Sequence, residues 1–521
     1  MQIINNNALV LRTREPQKYK LIPTSKILGG VGNGLFEVAI PWKLDEARVL
    51  KNLGVRNVPS PILQSYTWPG RYTPFKHQKE TSAFLTLNKR AFVFSEPGTG
   101  KTLSALWAAD YLMKLGLVRR CLVLCPLSIM HSAWMAEICN SIIHRSAIIC
   151  HHTQAERRRE MIRKNYQFVI ANYDGLPLIV EEALKNGEFD LVIADEANAY
   201  KNVTTRRWKT LARLIQPHTH LWMMTGTPAA QSPEDAYGLA KLVSPDRVPK
   251  FFTSWRDKVM YQASRFKWVP KSNAYTQVHE ALQPAIRFTK KECLDLPPVI
   301  TETREVRLTP QQANYYKLLK ERMVMQTAGE TITAINAAAG VNKLLQISAG
   351  DAYTDNHEVV TFDCTPRLNV LLEVLEETDH KVLVFALYRH NMESIHNFLT
   401  KQGISSAQIH GNVTATKRTE IFRNFQTTDS PKVLVIQPQA AQHGVTLTAA
   451  DTVVLWGPVM SVESYIQCIA RMDRQGQTAD KVTVIHIQGS PIEEKMFRRL
   501  AGKVEDHSML LKIYEEELGI M

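Results

Sequence analysis

Residues 95–102 read Ser-Glu-Pro-Gly-Thr-Gly-Lys-Thr, set between the apolar run Arg90–Phe94 and a helix-like stretch from Leu103 to Met113. A strand, a glycine-bearing turn and a helix in that order admit few folds, because the turn has to open at the edge of a parallel sheet. Gly98 and Gly100 let backbone N–H groups approach a polyphosphate without a Cβ in the way. Pro97 and Thr99 complete the turn, Lys101 is placed to reach the β and γ phosphates, and Thr102 to hold magnesium. The chain is expected to bind ATP. Ser95 stands where the strict pattern has glycine, and a plain glycine turn is the competing reading.

A second feature answers the first. The apolar run Phe189–Ala194 ends in Asp195-Glu196-Ala197-Asn198. At the carboxyl end of a strand, Asp195 is suited to hold magnesium through water and Glu196 to orient and deprotonate an attacking water. Two adjacent acids after a strand also make an ordinary helix N-cap; their pairing with the loop favours the catalytic reading.

The 521 residues suit about three domains. No apolar stretch is long enough to span a bilayer, and the amino terminus carries neither a signal nor a transit pattern, so a cytoplasmic protein with no membrane partner is expected. Seven cysteines without a Cys-x-x-Cys read as reduced core residues. His151, His152, His218 and His220 read as loop or surface residues rather than metal ligands. A net charge of +13 points to an anionic partner, nucleic acid first.

Strand-like runs at 91–94, 121–125, 147–150, 168–171, 191–194 and 221–224 alternate with helical patterns, and a second series follows at 381–386, 406–410, 432–436, 452–456 and 481–487. The expected fold is α/β: two parallel-sheet lobes in tandem. The expected domains are a small accessory module and linker (1–70), a first lobe (71–245), an insertion with a helix at 310–327 (246–365) and a second lobe with C-terminal helices (366–521). In the second lobe, Arg471 and Arg474 lie three apart, a spacing that puts both on one helical face, where they are suited to stabilise charge on a transferring phosphoryl group.

Taken in order, these motifs resemble a Swi/Snf-type ATP-dependent DNA translocase of helicase superfamily two, from about Tyr72 to near the C-terminus. The resemblance implies RecA-like lobes and assigns Gln78, in Thr73–Gln78, to adenine. Leu122–Pro126 with Trp134 resembles a motif that touches the DNA backbone. Asp195–Asn202 resembles the DEAH-containing signature, with Asn198 in place of its histidine. Leu221–Pro228 is similar to the motif that couples hydrolysis to movement, with Thr225 and Thr227 its polar members. Lys381–Phe385 and Ile409–Gly411 look like the motifs that open the second lobe. Ala440–Thr448 resembles a Gly-rich motif, although Ala441 and Gln442 replace two of its glycines, which predicts a stiffer backbone. Gln467–Gln477 resembles the last motif, which gives Arg471 and Arg474 the finger roles and Gln467 a coupling role; Ile492–Lys495 matches a family-like tail.

Between the lobes the chain is similar to the annealing-helicase branch, and its size suits a bacterial or phage member. Trp255, Tyr261, Phe266, Trp268 and Tyr275 interleave with Arg256, Lys258, Arg265, Lys267 and Lys271. That mixture suits stacking at a strand junction, with Phe266 and Trp268 as contact residues, or equally the packing of an insertion with a wet basic face. The first seventy residues either select branched DNA or cap the first lobe. The expected activity is a monomeric motor that tracks on duplex DNA and remodels forked or branched DNA. An RNA helicase, a protein-displacing motor and a non-hydrolysing nucleic-acid scaffold are the alternatives.

Overall fold

Uninterrupted apolar runs such as Phe168–Ala171 and Leu191–Asp195 bury both of their faces, which is the signature of a parallel sheet covered on both sides. The computed structural model describes residues 1–500 except 187–188, 227, 229–231, 265–266, 294–295, 328–333, 354–358, 441–444, 475 and 499. It divides into two units, Met1–Cys293 and Leu294–Met521. That division falls inside the stretch 246–365 that the sequence sets apart as an insertion.

In the first unit seven strands lie in the order Ala285–Ile286, Arg90–Val93, His220–Met224, Leu191–Asp195, Cys121–Leu124, Phe168–Ala171 and Ala147–Ile149. Every described pairing among them is parallel. Met224 lies opposite both Val93 and Asp195, so three central strands end at one level. The helix Lys101–Lys114 is buried continuously from Ser104 to Met113, because it lies between the sheet and the helix Lys76–Leu87. Trp107, Trp134 and Trp222, all buried, fill the apolar cluster on this face.

The opening residues build their own layer. Gln2–Ile4, Ala8–Thr13, Phe36–Pro41 and Lys26–Gly30 form a four-stranded antiparallel sheet in that order. With the helix Leu44–Asn52 it encloses a separate core of Leu9, Leu11, Val38, Ile40, Trp42 and Leu50. Polar groups tie this layer to the helix Lys76–Leu87: Arg48 Nε donates to the Thr86 carbonyl at 3.0 Å, and the Ser60 and Thr86 hydroxyls meet at 2.7 Å.

The second unit carries a six-stranded parallel sheet in the order Val299–Glu305, Val482–Gln488, Ala450–Leu455, Lys381–Phe385, Val433–Ile436 and Ser406–Ile409. The two-residue period of its strands sorts them cleanly. Leu383, Phe385, Val453 and Leu455 enter one apolar layer, and Val382, Val384 and Val454 the other. Val299–Glu305, inside the stretch read as insertion, is an edge strand of this sheet. Its Glu302, Arg304 and Glu305 discourage pairing with further strands.

No helix among the described residues is long and apolar enough to cross a membrane, and no cluster of potential metal ligands is found among them. Two expectations about particular residues are corrected. Of the cysteines, Cys139 is exposed and Cys293 half-buried rather than part of the core. His220 is buried at the start of a central strand, with Arg48 Nη2 3.3 Å from its Nε2.

Candidate nucleotide site and the arginine turn

The loop 95–100 leaves the sheet beside the strands that end at Asp195 and Met224, so the geometry follows from the register. Gly98 and Gly100 have φ of +94° and +77°, the left-handed region that glycine occupies without strain. At Gly100 there is a second reason. A Cβ there would stand 2.0 Å from Gln78 Nε2, and the Gln78 carboxamide is held by the Phe75 N–H donating to its Oε1 at 2.9 Å. Gln78 is therefore buried against the loop itself. The loop closes on its own carbonyls: Lys101 Nζ donates to Ser95 O at 2.7 Å and to Glu96 O at 3.1 Å, and Thr99 Oγ1 donates to Glu96 O at 2.8 Å.

Ser95 has a structural use that a glycine would lack. Its hydroxyl, buried, accepts the Phe288 N–H at 3.1 Å. Residues 284–288 run along the strand that feeds the loop, with Phe92, Phe94 and Glu96 N–H donating to the Pro284, Ile286 and Phe288 carbonyls at 3.0, 2.9 and 3.0 Å. Only two residues of this edge are regular strand, too short a signal for hydrophobic periodicity to detect.

Asp195 is buried at the end of its strand. Trp134 Nε1 donates to its Oδ2 at 3.0 Å and the Glu196 N–H to its Oδ1 at 3.0 Å. Burial raises the Asp195 carboxyl above the usual carboxylate range, while Lys101, Trp134 and the Glu196 N–H pull it back without cancelling that effect. Trp134 is fully buried, so within its motif its side chain supports the carboxylate. Glu196 has φ of +50°, a conformation that costs a non-glycine residue on the order of 1–3 kcal/mol and gathers at functional sites. The Tyr173 hydroxyl donates to Asp195 O at 2.6 Å and stacks edge-on with Tyr200, bracing the turn from below. Neither Trp134 in that role nor Tyr173 was legible in the sequence, since both partners lie far along the chain.

Thr225 is buried beside the loop, its N–H donating to Val93 O at 3.1 Å. A Cβ on Gly226 would meet Pro97 Cδ at 2.8 Å, so this turn and the loop touch. A buried carboxylate under the influence of an ammonium group, with the Thr102 hydroxyl at the first turn of the adjoining helix, suits a hard cation that keeps most of its water and phosphate ligands. Magnesium fits that donor set. Thr227 and Phe266 lie outside the described residues, as do Ala441 and Gln442.

Trp268 is half-buried under the Arg256 guanidinium, 4.2 Å from the ring centroid, whereas Trp255 is fully buried and Tyr261 is 49% exposed. The aromatic stretch is thus divided between packing and open surface.

In the second unit the helix Val462–Ile469 ends before the two arginines, so they do not share a helical face. They sit in the turn that follows, where Arg471 Nε donates to Gln467 O at 2.9 Å and Arg474 Nε to Ala470 O at 2.6 Å. Arg471 is buried, with Nη1 3.3 Å from Val445 O, and Arg474 Nη1 lies 3.4 Å from Thr446 Oγ1. Gln467 is buried, and among the described residues its Oε1 accepts no hydrogen bond. The tail residue Glu493, fully buried, grips the Arg367 guanidinium through both carboxylate oxygens at 2.8 Å.

A family model described as SNF2-related domain matches residues 77–352, and one described as helicase conserved C-terminal domain matches 366–476. The chain is similar to a Mus musculus protein described as chromodomain-helicase-DNA-binding protein 1-like, 24% identical over 437 residues, 80% of this chain and 47% of that protein. It is also similar to the putative protein p41 of Acyrthosiphon pisum secondary endosymbiont phage 1, 26% identical over 465 residues, 85% of this chain and 98% of p41. The Sulfolobus solfataricus SWI2/SNF2 ATPase core solved in complex with dsDNA covers 86% of this chain and 97% of that chain, at 21% identity and a TM-score of 0.41. This chain therefore spans less than half of the mouse relative and nearly all of p41.

Proposed function

Belonging to the SNF2-related family, the chain carries the parts of an ATP-driven motor, and we propose that it is a DNA-stimulated ATPase that tracks along duplex DNA and remodels branched or forked intermediates. One observation carries the ATPase reading: the strands ending at Val93, Asp195 and Met224 stop at one level, which brings Lys101, Asp195 and Thr225 to the same sheet edge. That edge is where α/β sheets hold their ligands.

In this reading Gln78 contacts the base, and the backbone of Pro97–Gly100 with Lys101 cradles the phosphates. Thr102 and Asp195 hold magnesium, which when bound neutralises charge on the β and γ oxygens. Glu196 orients the attacking water and takes its proton. Arg471 and Arg474, from the second unit, meet the charge that develops on the γ-phosphoryl group. Thr225, Thr227 and Gln467 transmit the nucleotide state toward DNA, and Phe266 and Trp268 contact it. The net charge of +13 supports a phosphate-rich partner.

The deciding experiment compares ATP turnover on linear duplex, fork, four-way junction, single-stranded DNA and RNA. Greatest stimulation by fork or junction DNA is expected. Stimulation by single-stranded RNA alone would overturn the DNA reading, and no phosphate release with any nucleic acid would overturn the motor.

A further inference from the structure

Ser95 and Glu96 hold two things at once. On one side their carbonyls receive the Lys101 ammonium, at 2.7 and 3.1 Å. On the other they grip the segment 286–290. Ser95 Oγ accepts the Phe288 N–H at 3.1 Å, the Glu96 N–H donates to Phe288 O at 3.0 Å, and Glu96 Oε2 accepts the Lys290 N–H at 2.9 Å. The Arg287 guanidinium, its side chain 6% exposed, stands 3.8 Å from Glu96 Oε1. Three residues after Lys290 the first unit ends, at Cys293.

We propose that Glu96 is a positioning residue that couples nucleotide occupancy of the loop to the chain segment leading into the second unit. This rests on the motor reading above. A polyphosphate draws the Lys101 ammonium away from the Ser95 and Glu96 carbonyls, which alters the hydrogen bonding of the same two residues that clasp Phe288 and Lys290. The Glu96 carboxylate converts that change into a pull on the short helix Lys290–Cys293. Its charge matters as well as its position, because the buried Arg287 guanidinium lies beside it. The motor reading gives the Glu96 side chain no part in phosphate or metal binding, since its carboxylate oxygens face Arg287 and the Lys290 N–H.

The test is the ratio of movement to hydrolysis. Triplex-strand displacement on duplex DNA and ATP turnover are measured together for the parent chain and for Glu96→Ala, Glu96→Gln and Lys290→Pro. The proline removes the backbone donor to Glu96 together with the lysine side chain while occupying the first position of its helix, where proline is tolerated, and Lys290→Ala, which removes the side chain alone, is its control. Displacement per ATP is expected to fall about fivefold in Glu96→Ala and in Lys290→Pro. Glu96→Gln, which keeps an acceptor for the Lys290 N–H, is expected to recover part of the loss. Parallel decline of both rates, leaving the ratio unchanged in Glu96→Ala and Lys290→Pro, overturns the inference. A parent chain whose turnover no DNA stimulates overturns the motor reading, and this inference with it.

Discussion

A carboxylate buried at a strand end meets opposing demands: burial disfavours its charge, yet the proposed role of holding a cation requires it. Asp195 meets them with one indole N–H, one backbone N–H and the field of Lys101, and still titrates above the usual carboxylate range. For an acid whose pKa is raised, the proton is retained to higher pH, so protons compete with magnesium as pH falls. The magnesium concentration for half-maximal turnover is therefore expected to climb on acidification. In Trp134→Phe, which removes a donor to the charged form, the climb is expected to begin at higher pH, as magnesium titrations at several pH values would reveal. Lys101→Ala and Glu196→Gln are both expected to lower DNA-stimulated turnover by about 10²–10⁴-fold. They differ in binding: Glu196→Gln keeps nucleotide affinity and Lys101→Ala loses it, which a fluorescent-nucleotide titration distinguishes. Near-normal turnover in either variant would contradict the assignment.

Among the elements, each unit has one close contact on which its packing depends. The helix Ala236–Val243 passes so close to the turn after Glu196 that a Cβ on Gly238 would stand 2.1 Å from Lys201 O, while Trp208 Nε1 donates to Gly238 O at 2.8 Å. Gly238→Ala is expected to cost about 1–3 kcal/mol and to lower turnover by displacing the acidic turn; denaturant melts and steady-state rates together check this. In the second unit Arg367 and Glu493 are an ion pair 2% and 0% exposed, completed by the Gly489 N–H donating to Glu493 at 2.7 Å. Breaking it as Glu493→Gln is expected to destabilise that unit by about 3–5 kcal/mol, whereas replacing both partners by apolar residues of similar size costs less. The family-like tail thus acts in this chain by closing a core.

At the scale of the molecule, each unit buries a histidine kept neutral. Burial holds His220 down at about 4, with help from Arg48 and Lys89, and burial alone holds His486 at about 4, where it stacks on Phe497. The unfolded chain takes up these protons near the ordinary histidine value of about 6.5, so stability is full above that pH and is lost as pH falls from there toward 4. The loss is on the order of 3 kcal/mol for each site. Urea melts across this range should show a falling midpoint, and His486→Gln should flatten the fall for the second unit only. Turnover stimulated by DNA is also expected to fall steeply with added salt, as counterion release requires of a strongly basic chain.

The regular elements were legible wherever a run carried its own period. Apart from the edge strands Ala285–Ile286 and Val299–Glu305, the strands of both sheets lie within two residues of their apolar runs, and the helix Pro310–Thr327 coincides with its pattern. The loop and the acidic pair, singled out by residue type at short range, lie at one sheet edge. Hidden from the sequence were contacts between distant segments: Trp134 with Asp195, Ser95 with Phe288, Arg367 with Glu493 and Arg48 with His220. Even the end of the helix before Arg471 escaped, since a turn held by side-chain bonds to carbonyls leaves no periodic trace. By itself the sequence determined the local backbone and which groups could meet a phosphate. Only the tertiary structure decided which buried partner each group met, because burial, and the electrostatics that follow from it, depend on what the rest of the chain excludes from water.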